Sequence, residues 1–189
     1  MNLFVRMIRV LVAAVFGARL APLDESAVRF RVWPNDLDIN LHMNNGRYLT
    51  IMDLGRLDLM LRAGLGRAIV TRGWRPMVGT AVIRYRRGLA AFERCTLKTR
   101  IVSWDDKWFW LEQRFERDGD VVAVGVIKGL FRAPGGNVST AEVLALLGVT
   151  DSPRTPEGIL PWQRAEAAGG PPAGRTMSED AGPSMPSAL

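Results

Sequence analysis

The stretch AVRFRVWPNDLDINLHMNNGRYLTIMDLGRLDLMLR, residues 27–62, contains three consecutive patterns that together decide the fold. Residues 27–33 alternate apolar and basic side chains, which is typical of a half-buried β-strand, and Pro34 ends the run. Residues 35–46 are polar and rich in turn formers, so they predict a loop. The third pattern is helical and begins where this loop ends.

The helical pattern extends from Asn45 to Arg62, and its apolar residues nearly encircle the helix axis. A helix that is apolar on almost every side must be buried. Asn44 or Asn45 can cap its first turn, and Gly64 can end it. The stretch therefore predicts a strand, a loop and a long buried helix, in that order.

Four strand-like segments and a short helix follow. The strands are predicted at residues 74–85, 93–103, 107–117 and 120–132, and the helix at residues 140–147. Asp118-Gly119-Asp120 predicts a tight hairpin turn between the last two strands. This order predicts an α+β fold in which a curved antiparallel sheet wraps one buried helix. A second subunit would cover the remaining helix surface and the edge strands.

The segments on either side of this domain differ from it in composition. We predict an N-terminal amphipathic helix in residues 1–22, the folded domain in residues 23–149 and a disordered tail in residues 150–189. Seven of the eleven prolines lie in the tail, which lacks the periodic apolar residues of a core. The tail is therefore not expected to add to the core.

Six large apolar residues share one face of a helical wheel drawn for the N-terminal segment: Leu3, Phe4, Met7, Ile8, Leu11 and Val15. Arg6 and Arg9 lie on the opposite face. The uncharged run between Arg9 and Arg19 is far shorter than the about 20 residues that span a bilayer. The segment is a helix docked on the protein or a partner subunit, a helix in contact with a membrane surface through residues 3–16, or a signal peptide. The docked helix and the membrane-surface helix are favoured over the signal peptide, because no clear pattern for signal-peptide cleavage follows the segment.

Charge and rare residues limit the classes of function. The net charge is +6 and the sequence pI is about 10.4, and almost all of the positive charge is arginine. Arginine binds phosphates of nucleic acids, lipid head groups or coenzyme A. Nucleic-acid binding is not expected, because the arginines are spread along the chain and the aromatic run at residues 108–110 lacks an RNA-binding signature. A single cysteine, Cys95, excludes an intrachain disulfide framework and fits a cytoplasmic protein, or one peripheral to a membrane.

The densest polar cluster, residues 36–45, joins the first strand to the buried helix. A helix start presents unpaired N–H groups, which can stabilise the oxyanion that forms when a carbonyl is attacked. A nearby carboxylate can activate water or attack the carbonyl itself. The loop therefore offers both groups that thioester hydrolysis needs. A metal bound by Asp36, Asp38 and His42 is not expected, because no fourth protein ligand is apparent.

Phe30-Arg31-Val32, Asp36-x-Asp38, His42-Met43-Asn44-Asn45 and Tyr48-Leu49 resemble the signature of hotdog-fold acyl-CoA thioesterases of the 4-hydroxybenzoyl-CoA thioesterase type. The similarity is to the branch with the motif DLDxxxHMNNxRYL and covers residues 27–149. It implies a hotdog fold, a homodimer or homotetramer, and an acyl-CoA substrate bound at the subunit interface without a cofactor. The family's catalytic aspartate matches Asp38.

One position departs from the family's pattern. The family's loop commonly runs Asp-x-x-Gly-His, and Leu41 stands where that glycine would be. This departure leaves open which N–H forms the oxyanion hole, and Asn45 and Gly46 are the candidates. Asp53 on the helix is the alternative catalytic carboxylate, because other hotdog thioesterases place an acid there. Its other interpretation is an ion pair with Arg56 at helical spacing.

The remaining motif residues have two interpretations each. His42 is either a general base or a group that orients Asp38, and the second is favoured. Asn44 is a helix cap first and a substrate contact second. Tyr48 faces the acyl pocket or fills the core, and the core is favoured. Cationic partners for the phosphates of coenzyme A are expected among Arg84, Arg86, Arg87 and Lys107.

Two other functions remain as alternatives. Hotdog enoyl-CoA hydratases carry Asp-x-Asn-Pro-x-His, and Asp38-Ile39-Asn40 begins in this way. The proline is missing, however, and His42 comes one position too early, which argues against hydration of a double bond. The second alternative is a non-catalytic acyl-CoA- or lipid-binding hotdog protein at a membrane surface.

Overall fold

A computed structural model describes residues 3–153 together with Thr155, Glu157, Leu160 and Arg164. The helices and strands discussed below all lie within the compact unit that comprises residues 1–156. The predicted disordered tail, residues 150–189, falls largely outside the described residues. That prediction and the proposed division into domains therefore stay predictions.

Within the described residues, the strands form one antiparallel sheet. Its members are β1 (Ser26–Arg31), β2 (Arg75–Tyr85), β3 (Arg94–Trp104), β4 (Phe109–Arg117), β5 (Asp120–Ala133) and β6 (Gly136–Val138). Their spatial order is β1-β3-β4-β5-β2, with β6 also paired to β5. β1 and β2 are therefore the two edges of the sheet, and β2 is exposed along almost its whole length.

Four helices accompany the sheet in the described part of the chain. They are α1 (Leu3–Phe16), α2 (Asn45–Arg62), α3 (Gly66–Thr71) and α4 (Thr140–Leu147). The predicted α+β class is confirmed, as are the bounds of α2 and α4, and the four strand predictions are each correct to within two residues. β6 and α3 were missed, because segments of three and six residues are too short to show a periodic pattern.

Local sequence chemistry explains where these elements begin and end. Asn44 caps α2 by accepting a hydrogen bond from the N–H of Gly46 at 2.8 Å, and Gly64 follows its end with a φ of 99°. Asp118 and Gly119 both take positive φ values, 51° and 89°, as a two-residue type I′ hairpin turn requires. Both predictions are confirmed.

α2 packs directly on the sheet, and Gly55 makes this close approach feasible. A Cβ atom at Gly55 would lie only 2.6 Å from both the Cδ2 atom of Leu97 and the Oγ1 atom of Thr99 on β3. The buried side chain of Gln113 donates to the carbonyl of Met52 at 3.0 Å and to the Oγ1 atom of Thr99 at 2.9 Å. The helix is thus held to the sheet by apolar packing and by a satisfied buried polar group.

α1 packs on α2 through a face that the apolar pattern does not predict. Arg6, Val10 and Ala14 are its buried residues, whereas most of the large apolar side chains face outward. α1 is therefore docked on the protein, which is one of the interpretations that the sequence offered, but with most of its large apolar side chains outward. The cause lies in Arg6, which reaches a buried carboxylate of the loop before α2. Among the described residues, no helix is long and apolar enough to cross a membrane.

Candidate active site

The loop between β1 and α2 folds into a small hairpin that presents Asp38 at its tip. At its base the N–H of Asn44 donates to the carbonyl of Asp36 at 2.8 Å, and Leu37 pairs with Met43. The N–H of Asp38 then donates to the carbonyl of His42 at 2.9 Å. Asp38 therefore lies two residue pairs beyond the helix cap, about 7 Å along the hairpin.

Leu41 closes the tip of this hairpin in a left-handed conformation. Its φ is 58°, and its N–H donates to the carbonyl of Asp38 at 3.0 Å. Glycine adopts such a conformation without steric cost, whereas a residue with a Cβ atom does not. The loop therefore keeps a glycine-type backbone although the glycine common in the resembling family is absent. The side chain of Leu41 is exposed, so no packing offsets the strain.

Replacing Leu41 with glycine is expected to raise the free energy of unfolding by about 0.5–1 kcal/mol, because relief of the left-handed strain exceeds the added chain entropy. Urea unfolding measures the change. Leu41→Ala is the matched control, since it removes the same side chain but keeps a Cβ atom, and it should shift stability by less than about 0.5 kcal/mol. Equal stabilisation by both variants would trace the effect to the exposed side chain instead.

The carboxylate of Asp38 is half-buried and only partly engaged. Its Oδ1 atom accepts a hydrogen bond from the N–H of Asn40 at 2.8 Å, which is an Asx turn. Within residues 3–153, its Oδ2 atom has no hydrogen-bond partner. One oxygen therefore holds the carboxylate in place, while the other remains available to a water molecule or a substrate.

Asp36, the other member of the Asp-x-Asp pair, is committed to structure. Its side chain is 1% exposed and forms an ion pair with Arg6 of α1. The N–H of Trp33 donates to its Oδ2 atom at 2.9 Å, and the Nε atom of Arg47 lies 3.7 Å from its Oδ1 atom. The two aspartates thus have separate roles: Asp36 holds the loop to α1, and Asp38 presents a free oxygen.

Two N–H groups in the first turn of α2, those of Gly46 and Asn45, differ in whether they already have an acceptor. Because the N–H of Gly46 already donates to Asn44, it is not a free oxyanion donor in this structure, contrary to expectation. The N–H of Asn45 has no acceptor within residues 3–153. Asn44 thus serves as the expected cap, and Asn45 offers the unpaired donor at the positive end of the helix.

His42 contacts a neighbouring loop rather than Asp38. Its ring lies against Gly88, where a Cβ atom would be 2.5 Å from the Cδ2 atom of the ring, and its backbone pairs with Ala90. Within residues 3–153, the ring makes no hydrogen bond to Asp38. The hydrogen bond that joins His42 to Asp38 in the described part of the chain is made by the backbone carbonyl of His42, so an orienting role would run through the main chain.

Tyr48 and Cys95 belong to the core rather than to a substrate surface. Tyr48 is buried, and its ring packs edge-on against Phe115 and Tyr85 with centroids 4.9 and 5.1 Å apart. Burial raises the pKa of Tyr48 to about 12 and that of Cys95 to about 12, so neither group ionises near neutral pH. This excludes a thiolate nucleophile at Cys95 under such conditions.

The four predicted phosphate-binding cations lie in two separate places. Arg84, Arg86 and Arg87 lie at the end of β2, next to the loop that His42 contacts, although Arg87 pairs with Asp120 at 2.6 Å. Lys107 instead lies over the ring of Trp108, which packs on Gly79 in the middle of β2. Five residues of strand, about 16 Å, separate Gly79 from Arg84, so Lys107 lies apart from the three arginines.

Asp53 lies at the rim of an apolar cavity that the sequence did not reveal. The cavity measures about 290 Å³ and lies between the second half of α2, the first half of β2, and α4. Asp53 pairs with Arg56 as predicted, and the Nη1 atom of Arg56 donates to the Oε1 atom of Gln113 at 2.7 Å. The cavity draws its lining from segments that are far apart in sequence, so no local pattern could have predicted it.

Comparisons with known proteins agree on one family. The sequence profile of the "Thioesterase-like superfamily" matches residues 32–162. The protein THEM6 of Xenopus laevis is 33% identical over 153 residues, which cover 78% of this chain and 74% of that protein. THEM6 of Drosophila melanogaster is 30% identical over 169 residues, which cover 85% of this chain and 84% of that protein.

Solved structures show the same architecture at low identity. The probable thioesterase YbaW from Escherichia coli has a TM-score of 0.58 and 21% identity, covering 65% of this chain and 95% of YbaW. A 4-hydroxybenzoyl-CoA thioesterase complexed with 4-hydroxybenzoyl-CoA has a TM-score of 0.60 and 16% identity. The match covers 65% of this chain and 97% of that thioesterase. At such identities the likeness establishes the fold alone.

Proposed function

The chain belongs to the thioesterase-like superfamily and has its hotdog fold, and from that premise we propose that it hydrolyses acyl-CoA thioesters with Asp38 as the catalytic carboxylate. The observation that supports this most is that two unsatisfied groups lie close together in the chain, one on the hairpin and one at the start of α2. Asp38 offers a free Oδ2 atom, and Asn45 offers a free N–H at the positive end of α2. These are the base and the oxyanion donor that acyl transfer requires.

In the proposed reaction, Asp38 removes a proton from a water molecule, and the oxygen of that water attacks the thioester carbonyl. The oxyanion that forms accepts a hydrogen bond from the N–H of Asn45. Collapse of this intermediate breaks the carbon–sulfur bond and releases coenzyme A, whose thiolate takes up a proton. The products are a free acid and a free thiol. Arg84 and Arg86, which form no ion pair within residues 3–153, are the proposed partners of the CoA phosphates.

We further propose a homodimer in which β2 pairs with its own copy. β2 is an exposed edge strand of eleven residues with apolar side chains such as Met77, Val78 and Val82, and such an edge is a template for another strand. Antiparallel pairing about a two-fold axis at Thr80 would place Tyr85 opposite the partner's Arg75. The two small sheets would then form one continuous sheet.

This pairing would build each site from two subunits. Within one chain the apolar cavity borders residues 76–78, whereas the start of α2 lies at the other end of β2, where the Oη atom of Tyr85 donates to the carbonyl of Asn45 at 3.3 Å; Tyr85 is about 23 Å from Val78 along the strand. The two-fold axis exchanges the ends of β2, so it brings the partner's cavity beside this chain's Asp38. We propose that this cavity binds the acyl group, whose apolar character matches the lining.

Subunit complementation tests the shared site. Asp38→Asn removes the carboxylate, and Leu57→Trp fills the cavity from α2; each homodimer is expected to be inactive in free-thiol release from acyl-CoA. The two variants are unfolded, mixed in equal amounts and refolded together. The mixture should recover about a quarter of wild-type activity, because half of the dimers contain one subunit of each variant and each of these mixed dimers has one intact site of two. Refolded single variants are the controls. Mixtures that stay inactive would place both groups in one chain.

Free-thiol release from short, long and aromatic acyl-CoAs tests the activity itself. Turnover would support the thioesterase proposal, and the preferred substrate would identify the acyl class. Consumption of an enoyl-CoA without thiol release would indicate a hydratase instead. If folded protein binds acyl-CoA but does not turn it over, the protein is a non-catalytic acyl-CoA carrier instead.

A further inference from the structure

The outward face of α1 is apolar, which is the reverse of an ordinary surface helix. The exposed residues of this helix include Phe4, Ile8, Leu11, Val12, Val15 and Phe16. Phe4 is 60% exposed and Phe16 is 85% exposed. A helix on the surface of a soluble protein normally turns its apolar stripe toward the core and its charges toward water. In α1 the charged Arg6 is buried instead.

The buried ion pair fixes this orientation. Arg6 binds Asp36 through its guanidinium and also donates to the carbonyl of Arg31 at 3.0 Å. Rotating α1 to bury its apolar face would pull Arg6 away and deprive the buried carboxylate of Asp36 of its main partner, which is strongly unfavourable. Just beyond α1, the Nε atom of Arg62 donates to the carbonyl of Ala18 at 2.9 Å and fixes the following turn. The apolar face is therefore held outward by the fold.

The surroundings of this face are positively charged. Residues 1–23 contain three arginines and no acidic residue. Arg9 is exposed and lies next to the exposed Val5 and Phe16 on the helical wheel, at the edge of this outward face. A groove of about 790 Å³ runs between α1 and β1, and six arginines, among them Arg9, and three acidic residues line it. An apolar stripe bordered by cations matches a layer of acyl chains beneath anionic head groups.

We propose that α1 lies in the surface of an anionic lipid bilayer, with the side chains from Phe4 to Phe16 inserted among the acyl chains. Its 14 residues, about 21 Å long, suit a helix that lies in the plane of the membrane. A second copy of this chain is the less favourable occupant. α1 lies beside the β1 edge of the sheet, whereas the open edge suited to self-association is β2, at the other end.

Vesicle flotation of the full-length chain tests this surface without measuring turnover, so its outcome is separate from that of the thioesterase proposal. The test variant is Phe4→Gln/Ile8→Gln/Phe16→Gln, which changes only exposed side chains. The matched control is Val70→Gln/Leu146→Gln, which makes the same chemical change at exposed apolar positions on α3 and α4. A third variant, Arg9→Gln/Arg19→Gln, removes positive charge beside the face. Circular dichroism establishes that each variant is folded.

We expect the wild type and the control to float with vesicles of phosphatidylcholine and phosphatidylglycerol. The triple variant should bind at least about tenfold more weakly, because three large apolar side chains are lost from the membrane. The arginine variant should weaken binding to these vesicles but not to pure phosphatidylcholine. Equal binding by the triple variant and the wild type, or no binding by the wild type, would overturn the proposal. So would a triple variant that only lowers the assembly mass in ultracentrifugation, which would identify a second copy as the occupant.

Discussion

The Asp38→Asn variant is expected to lose thioester hydrolysis by a factor of about 10²–10⁴ in kcat, the range that a positioned general base contributes. Asparagine has the same shape and retains an oxygen that can accept the hydrogen bond from the N–H of Asn40, so the hairpin should stay folded. The loss should therefore appear in kcat with little change in stability. Free-thiol release at saturating acyl-CoA measures kcat, and thermal unfolding measures the stability.

The Asp53→Asn variant tests the alternative catalytic carboxylate and is compared with Asp38→Asn. Asp53 is also an aspartate, in the middle of α2, but it is exposed and already paired with Arg56. If thiol release survives Asp38→Asn and is abolished by Asp53→Asn, the catalytic carboxylate lies on α2 and the proposed role of Asp38 is wrong. Asp118→Asn, in the distant hairpin turn between β4 and β5, controls for loss of one negative charge.

Replacing Arg6 with methionine is expected to lower the free energy of unfolding by about 3–5 kcal/mol, because it leaves the carboxylate of Asp36 buried without its main partner. Methionine keeps the length and the apolar stem of the side chain, so the change isolates the charge. The hairpin that carries Asp38 rests on Asp36 through the N–H of Asn44, so thiol release should fall as well. Urea unfolding followed by circular dichroism measures the stability.

Two further variants separate the ion pair from a general effect on α1. Arg9→Met changes an exposed arginine one turn further along the same helix and should cost less than about 0.5 kcal/mol. Combining Arg6→Met with Asp36→Leu removes both charges and should recover at least half of the loss. A double variant as unstable as Arg6→Met alone would show that the packing of Arg6, and not its charge, holds α1 in place.

The elements around the site could be predicted because short-range chemistry specifies them. The cap at Asn44, the glycine after α2 and the Asp118-Gly119 turn each depend on residues within a few positions of one another. The periodic patterns of α2 and the long strands are likewise local. The Asp38 loop was recognisable for the same reason, since its motif residues are contiguous in the chain.

The sequence by itself therefore determined the fold class, the position of α2 and the loop that carries Asp38. Only the tertiary structure decided which face of α1 is buried, because that choice depends on Arg6 and Asp36, which lie thirty residues apart. It also showed that Asp36 is bound in a buried ion pair whereas Asp38 keeps one carboxylate oxygen without a hydrogen-bond partner in the described part of the chain. A helical wheel ranks faces by hydrophobicity alone. It carries no information on a carboxylate thirty residues away, so it cannot show that Arg6 forms a buried ion pair with Asp36, the loss of which costs about 3–5 kcal/mol.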